Sequence, residues 1–167
     1  MKVMVFLHGT CIMHRNGLGR TRQQRVRQVT TADASVRDFA SYVPIGDVVR
    51  KLQGWHAQGA DIMYLSSHRV AADVEKDRRV LQQYAFPAGP IHFRQDGEDY
   101  ADVAARLLPD VLIEDDCESI GGTKEMAYPH ISPGVQATIR SIVVPEFGGL
   151  EHLPDHIDDL LHEPRRD

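Results

Sequence analysis

Short apolar runs alternate with amphipathic segments along most of the chain, and this alternation constrains the fold more than any other feature. Five runs have the length of strands buried on both faces: residues 3–7, 60–65, 91–93, 110–113 and 141–144. Three segments carry apolar residues at helical spacing: 44–58, 70–84 and 99–108. Strands that alternate with helices predict an α/β fold with a parallel sheet of about five strands and right-handed crossovers.

Residues 11–43 differ from this pattern because they are polar and rich in arginine. We expect an excursion from the sheet, with short helices that begin near Thr21 and Asp33. Residues 1–32 contain six basic residues and no acid, so the rest of the chain carries 13 basic residues against all 24 acids. This asymmetry indicates an anion site or an electrostatic clasp between the two parts, within one domain covering 1–167.

Polar residues follow the predicted strands where a functional site is expected. Parallel α/β sheets place their sites beyond the carboxyl ends of the strands. This rule selects ten residues: His8, Gly9, Thr10, Ser66, Ser67, His68, Arg94, Glu114, Asp115 and Asp116. Asp115 is the strongest functional candidate, because adjacent acids at the end of an apolar strand repel one another and need a cation or a hydrogen-bond cage.

The order of these motifs resembles that of the haloacid dehalogenase (HAD) superfamily, over most of residues 1–120 and part of the tail. That family begins with an apolar strand and Asp-x-Asp-Gly-Thr, and residues 6–10, Phe-Leu-His-Gly-Thr, fit it with both aspartates replaced. Ser66 fits the hydroxyl residue that ends the second strand, and VLIEDD at 111–116 fits the strand that ends in an acidic pair. Arg94 and Lys76 are loose candidates for the family's basic residue. The resemblance implies a Rossmann-like fold, with 11–43 as a flap or small cap.

The resemblance also shows what is missing, because the family's nucleophilic aspartate is replaced by Phe6. No acid precedes Asp33, so no shift of register restores a carboxylate on the first strand. Family chemistry needs that carboxylate to attack phosphorus and to hold Mg²⁺. His8 replaces the second aspartate, and its imidazole suits proton transfer near neutral pH.

The resemblance therefore implies a degenerate phosphotransferase site that binds a phosphate-containing ligand, a divalent metal such as Mg²⁺, or both, without aspartyl-phosphate chemistry. It implies catalytic roles for His8 and Asp115 and metal binding by Asp115 and Asp116. It implies ligand binding by the other polar residues at the strand ends: Gly9, Thr10, Ser66, Ser67, His68 and Arg94.

Two alternatives stay open. The first is an active phosphatase-like hydrolase in which His8 acts as a base for water or as the nucleophile. The second is a His/Cys/Asp site for Zn²⁺ that combines Cys11 and Cys117 with His8, Asp115 and a further candidate, His68, since thiolate and imidazole suit that ion better than Mg²⁺.

Other classes of function are disfavoured. No run is long enough to span a bilayer, and 3–7 is too short for a signal peptide, so we expect a cytoplasmic protein without a membrane partner. Nucleic acid is a poor partner for a chain of net charge −5 whose arginine-rich stretch lacks aromatic residues. We expect the partner to be a small phosphorylated ligand.

Overall fold

A five-stranded parallel sheet forms the centre of the protein. The computed structural model describes residues 1–162, and residues 163–167 of the predicted domain lie outside the described part. In sheet order the strands are β5 (Ile91–His92), β4 (Asp61–Leu65), β1 (Lys2–Phe6), β6 (Val111–Asp115) and β7 (Arg140–Val144). All four pairings are parallel, which confirms the predicted α/β class and its five strands.

Helices lie on both faces of this sheet. The α-helices are α1 (Arg22–Thr30), α2 (Val48–Ala57), α3 (Ala71–Gln83), α4 (Tyr100–Leu107) and α5 (Pro133–Gln136). Short 3₁₀ helices cover Arg15–Gly17, Ala34–Arg37, Phe39–Ser41, Gly122–Lys124, Tyr128–His130 and Ile157–His162. The last of these is the helical tail predicted around 156–161. Within residues 1–162 no helix combines the length and the apolar character needed to cross a bilayer.

The alternation of side chains along β1 explains why its run is continuously apolar. Val3, Val5 and Leu7 pack in the larger core cluster, to which α2 and α3 contribute. Met4 and Phe6 point the other way, into a second cluster to which α4 contributes. Because successive side chains of a strand face opposite sides, a strand covered on both faces is apolar at every position.

The predicted helix at 44–58 is wrong at its beginning. The helix starts at Val48, and Pro44 lies instead in β3 (Val43–Pro44), which pairs antiparallel with β2 (Ile12–Met13). Gly46 has φ +50°, a left-handed conformation that cannot belong to a right-handed helix. The short β2–β3 ladder ties the two ends of the insertion together.

Within the insertion, the helix expected near Thr21 is confirmed. Thr21 caps α1, because its side chain accepts from the backbone N–H of Gln24 while Gln24 reaches back to the Thr21 backbone. Near Asp33 the chain forms a 3₁₀ helix, with the Asp33 carboxylate accepting from the Ser35 N–H at 2.9 Å. No residue of α1 is fully buried. The helix is held by Val26 and Val29, which are partly buried against a small apolar cluster that includes Phe147, and by polar contacts such as Arg25 donating to the carbonyl oxygen of Phe147 at 2.9 Å.

Candidate functional site

The carboxyl edge of the sheet opens into a cavity of about 340 Å³. His8 and Gly9 border it after β1, Ser67 borders it after β4, and Asp115 borders it at the end of β6. Much of the remaining wall is aromatic and comes from Phe6, Phe39, Tyr42, Tyr100 and Phe147. Segments that are distant in the chain therefore meet at one rim, as the topology of a parallel sheet requires.

Three carboxylates, which we call the acidic trio, converge on one side of this rim: Asp115, Asp116 and Glu146. One carboxylate oxygen from each lies within 4.8 Å of the others. Asp115 is 4% exposed, and its oxygens accept from the Thr10 hydroxyl at 2.7 Å and the Cys117 backbone N–H at 3.0 Å. Asp116 accepts from the backbone N–H of Glu146 at 3.0 Å, which links the end of β6 to the second residue after β7.

The charges of the acidic trio are unfavourable in the absence of a cation. Burial raises the pKa of Asp115, and the charge on Asp116 adds to this effect, against the hydrogen bonds from Thr10 and Cys117. Burial raises the pKa of Glu146 to about 7, although its carboxylate accepts from both the hydroxyl and the N–H of Ser119. A hydrogen-bond cage is therefore present, but it does not offset the cost of burying the negative charges.

Glu114 is a further buried carboxyl at the cavity. Its two oxygens accept from the backbone N–H groups of Ala127 and Tyr128 at 2.6 and 2.9 Å, and burial raises its pKa to about 7. These bonds fix the loop after β6 against the sheet.

A second polar group, which we call the histidine cluster, consists of His8, His68 and Asp77. His8 Nε2 lies 3.0 Å from Asp77 Oδ1, and His68 Nε2 lies 3.5 Å from the same oxygen. His8 Nδ1 lies 2.5 Å from the Ser67 hydroxyl, and the Ser66 hydroxyl donates to Asp77 Oδ2 at 2.6 Å. Burial by itself raises the pKa of Asp77, but the contacts from His68, His8 and Ser66 outweigh it and hold this pKa well below its usual range.

The sequence reasoning missed Asp77 and Glu146. Asp77 lies on α3 between the inward positions Val74 and Val80, and all three side chains are buried. An acid on the apolar face of a helix was the available signal, since a buried carboxylate needs polar partners. Glu146 follows the predicted strand at 141–144, so the rule on strand ends selects it as well.

The other sequence-predicted residues occupy different places around the cavity. The Thr10 hydroxyl donates to Asp115, and the Ser66 hydroxyl donates to Asp77. Both residues therefore hold a carboxylate in place. Gly9 has φ +86°, and a Cβ there would lie 2.8 Å from Asp115 Oδ2, so the turn requires glycine.

Arg94 does not border this cavity. Its guanidinium lies 3.9 Å from the centre of the Tyr100 ring and donates to the Ser67 carbonyl oxygen at 3.0 Å. The side chain faces a smaller neighbouring cavity of about 160 Å³ on the far side of Tyr100.

The two cysteines are poorly suited to bind zinc. Cys11 is fully buried in the larger core cluster, and burial strongly raises the pKa of its thiol. Burial also raises the pKa of Cys117, reinforced by the negative charges of Asp115, Glu114 and Glu146. Because thiolate is the form that binds metals, both effects weigh against a cysteine-containing site.

Phe6 occupies the end of β1, where the resemblance places a nucleophile. Its ring is 7% exposed and packs edge-on against Tyr100, with ring centres 4.9 Å apart. The wall of the cavity at this point is therefore hydrocarbon.

No protein-family model matches the chain, and no curated protein matches it either. Among solved structures, the chain is similar to the class C acid phosphatase from Bacillus anthracis with tungstate bound, at 14% identity and a TM-score of 0.55, over 99% of this chain and 79% of that one. It is also similar to a chain of the Pnkp1/Rnl/Hen1 complex, at 16% identity and a TM-score of 0.54. That match covers 87% of this chain and 46% of the other, so this protein spans less than half of its length. At these identities the likeness shows the fold alone, and this fold matches the predicted Rossmann-like HAD fold.

Proposed function

We propose that the protein binds a small phosphate-containing ligand together with a divalent metal ion at the carboxyl edge of the sheet, without aspartyl-phosphate chemistry. The observation that carries this proposal is the convergence of the acidic trio beside a cavity of about 340 Å³ whose wall is otherwise mostly apolar. We take the chain to act as one domain, with 11–43 as the flap over the cavity.

The donor set of the acidic trio fits a hard divalent cation. All of its side-chain donors are carboxylate oxygens, the ligand type that Mg²⁺, Mn²⁺ and Ca²⁺ prefer. The raised pKa values of Asp115 and Glu146 mean that the ionised carboxylates repel one another in a desolvated place. A bound cation relieves this repulsion, and when bound it supplies positive charge that can neutralise a phosphate oxygen.

Different side chains around the cavity would contact the metal, the anionic group and the apolar part of the ligand. Thr10 and the Cys117 N–H hold the Asp115 carboxylate in one orientation. Ser67 and Arg37, which both border the cavity, are the donors available to an anionic group. The aromatic wall accepts the apolar part of the ligand and keeps water away from it.

The same geometry explains why the proposal excludes a phosphorylated enzyme intermediate of the aspartyl type. Phosphoryl transfer of that type requires a carboxylate at the end of β1, and the Phe6 ring can neither attack phosphorus nor bind a cation. His8 remains the acid–base candidate, and a direct attack of water assisted by His8 is the alternative that the experiment below tests.

The proposal is tested by the thermal unfolding of metal-free protein to which Mg²⁺, inorganic phosphate, or both are added. A ligand at a hundredfold its dissociation constant stabilises the native state by about 2.7 kcal/mol. For a chain of this size, that free energy raises the melting temperature by roughly 5–10 °C. We expect this rise with Mg²⁺ and phosphate together, and its loss in Asp115→Asn.

A matched control is Asp61→Asn, because Asp61 is an exposed aspartate at the opposite, amino end of β4. It should respond to the ligands as the wild type does. An absent rise in the wild type, or an equal rise in Asp115→Asn, contradicts the proposal. Turnover of an aryl phosphate that is lost in both His8→Ala and Asp115→Asn establishes the hydrolase instead.

A further inference from the structure

We propose that the histidine cluster is a transition-metal site, suited to Zn²⁺ and separate from the acidic trio, with His8 Nε2, His68 Nε2 and Asp77 Oδ1 as its ligands. One atom from each of these residues lies within 4.8 Å of the others. Two imidazoles and one carboxylate form a mixed nitrogen and oxygen set, which favours Zn²⁺ over Mg²⁺.

The spacing of the ligand atoms matches a tetrahedral ion. Zinc binds imidazole nitrogen and carboxylate oxygen at about 2.0–2.2 Å, so two ligand atoms of a tetrahedral site lie roughly 3.3 Å apart. The observed distances from Asp77 Oδ1 are 3.0 Å to His8 Nε2 and 3.5 Å to His68 Nε2. Small adjustments of side-chain torsions therefore suffice to place all three atoms around one ion.

An unpartnered nitrogen points to a missing ligand. His68 is 8% exposed, and its buried Nε2 atom lies 3.5 Å from Asp77 Oδ1 but forms no well-aligned hydrogen bond within residues 1–162. A buried polar atom without a full hydrogen bond destabilises the folded protein. A metal ion bound to Nε2 removes that cost, and the acidic trio has no corresponding feature among its carboxylates, which accept hydrogen bonds.

Two hydroxyls hold the proposed ligands in place. Ser67 Oγ lies 2.5 Å from His8 Nδ1, so when a metal replaces the proton on Nε2, the ring proton can sit on Nδ1 and donate to Ser67. The Ser66 hydroxyl donates to Asp77 Oδ2, the oxygen that does not face the histidines. Partners of this kind orient the ligands of metal sites and raise their affinity.

The surroundings also suit a metal with an open position. Phe39 of the insertion lies over His68, with ring centres 4.4 Å apart, and Tyr42 lies edge-on to His8 at 5.4 Å. These rings lower the local dielectric constant. Three protein ligands leave the fourth position of a tetrahedral ion open. Because His8 borders the cavity of about 340 Å³, a ligand in that cavity lies beside the proposed ion.

The test measures Zn²⁺ binding by chelator-stripped protein in competition with a chromophoric chelator. We expect one Zn²⁺ per chain, with affinity lowered at least about a hundredfold in His68→Ala and Asp77→Asn, and about 10- to 100-fold in Ser67→Ala. Glu75→Gln is the matched control, because Glu75 also lies on α3 and is exposed. The affinity of this control for Zn²⁺ should equal that of the wild type.

A second measurement needs no variant and decides the matter where a substitution unfolds the chain. X-ray absorption of wild-type protein carrying one Zn²⁺ should show two imidazole ligands and no sulfur. No stoichiometric Zn²⁺, fewer than two imidazoles, a sulfur ligand, or an unchanged affinity in folded His68→Ala overturns the proposal. Stabilisation by Mg²⁺ and phosphate depends on Asp115 and not on His68, so the two proposals can fail independently.

Discussion

Glu146 provides a direct test of the electrostatics of the acidic trio. Burial raises the pKa of this carboxyl from its ordinary value of 4.5 to about 7, and the side chain is 5% exposed. In Glu146→Gln the charge is removed while the shape is kept. The amide oxygen of glutamine can still accept from the Ser119 N–H, and its amide nitrogen can donate to the Ser119 hydroxyl.

The sign and size of the effect follow from proton linkage. Between pH 4.5 and 7 the unfolded chain has released the Glu146 proton while the folded chain retains it, so the free energy of unfolding of the wild type falls as the pH rises. The difference between the two pKa values corresponds to at most about 3 kcal/mol. Glutamine does not ionise, so the variant lacks this loss. We expect the free energy of unfolding of Glu146→Gln to exceed that of the metal-free wild type by up to about 3 kcal/mol at pH 8 and by less than about 1 kcal/mol at pH 5.

Urea unfolding in the presence of a chelator, at pH 5 and pH 8, measures these differences. Exposed Glu75→Gln on α3 is the matched control and should show no such dependence on pH. Addition of Mg²⁺ at pH 8 should stabilise the wild type and leave Glu146→Gln unchanged. A variant that is destabilised equally at both pH values refutes the argument that the ionised trio destabilises the metal-free protein.

Two further substitutions test the walls of the cavity. Gly9→Ala should lower the free energy of unfolding by about 1–3 kcal/mol and reduce the rise in melting temperature on addition of Mg²⁺, because φ is +86° and the new Cβ meets the Asp115 carboxylate. An unchanged free energy in urea unfolding and an unchanged rise in melting temperature contradict this. Phe6→Ala should lower the free energy of unfolding in urea by about 3 kcal/mol, because the ring packs against Tyr100 in the second core cluster. A decrease below 1 kcal/mol shows that the ring is not part of that core.

The sequence predicted the sheet because each strand overlaps one of the five apolar runs. Residues 3–7 were consistent with a strand covered on both faces, and the structure confirms this, with β1 paired to β4 on one side and to β6 on the other. The β2–β3 ladder could not be predicted, since strands of two residues carry no periodicity. Pro44 was assigned to a helix because proline suits a first turn, whereas the left-handed Gly46 delays the helix to Val48.

The site was only partly predictable for a related reason. The rule on strand ends applies to residues that follow a strand, and it brought His8, Ser67 and Asp115 to the cavity. Asp77 reaches the site from the buried face of α3, so the rule on strand ends does not select it, and its only signal is an acid among apolar positions of a helix. The side chain of Arg94 turns away because stacking on Tyr100 competes with the cavity for its guanidinium.

The contact between α1 and the loop after β6 has a consequence for how the flap responds to charge. Arg22 lies 3.7 Å from an Asp116 oxygen and also contacts Glu118, and these side chains are partly exposed. Such exposed pairs each stabilise the folded protein by less than about 1 kcal/mol, so they hold α1 only weakly against the loop after β6. If the acidic trio binds a cation as proposed, that cation competes with Arg22 for Asp116, and Arg22 then keeps its contact with Glu118. Metal binding and the weakening of this one contact between α1 and the loop after β6 would then be a single exchange of charge.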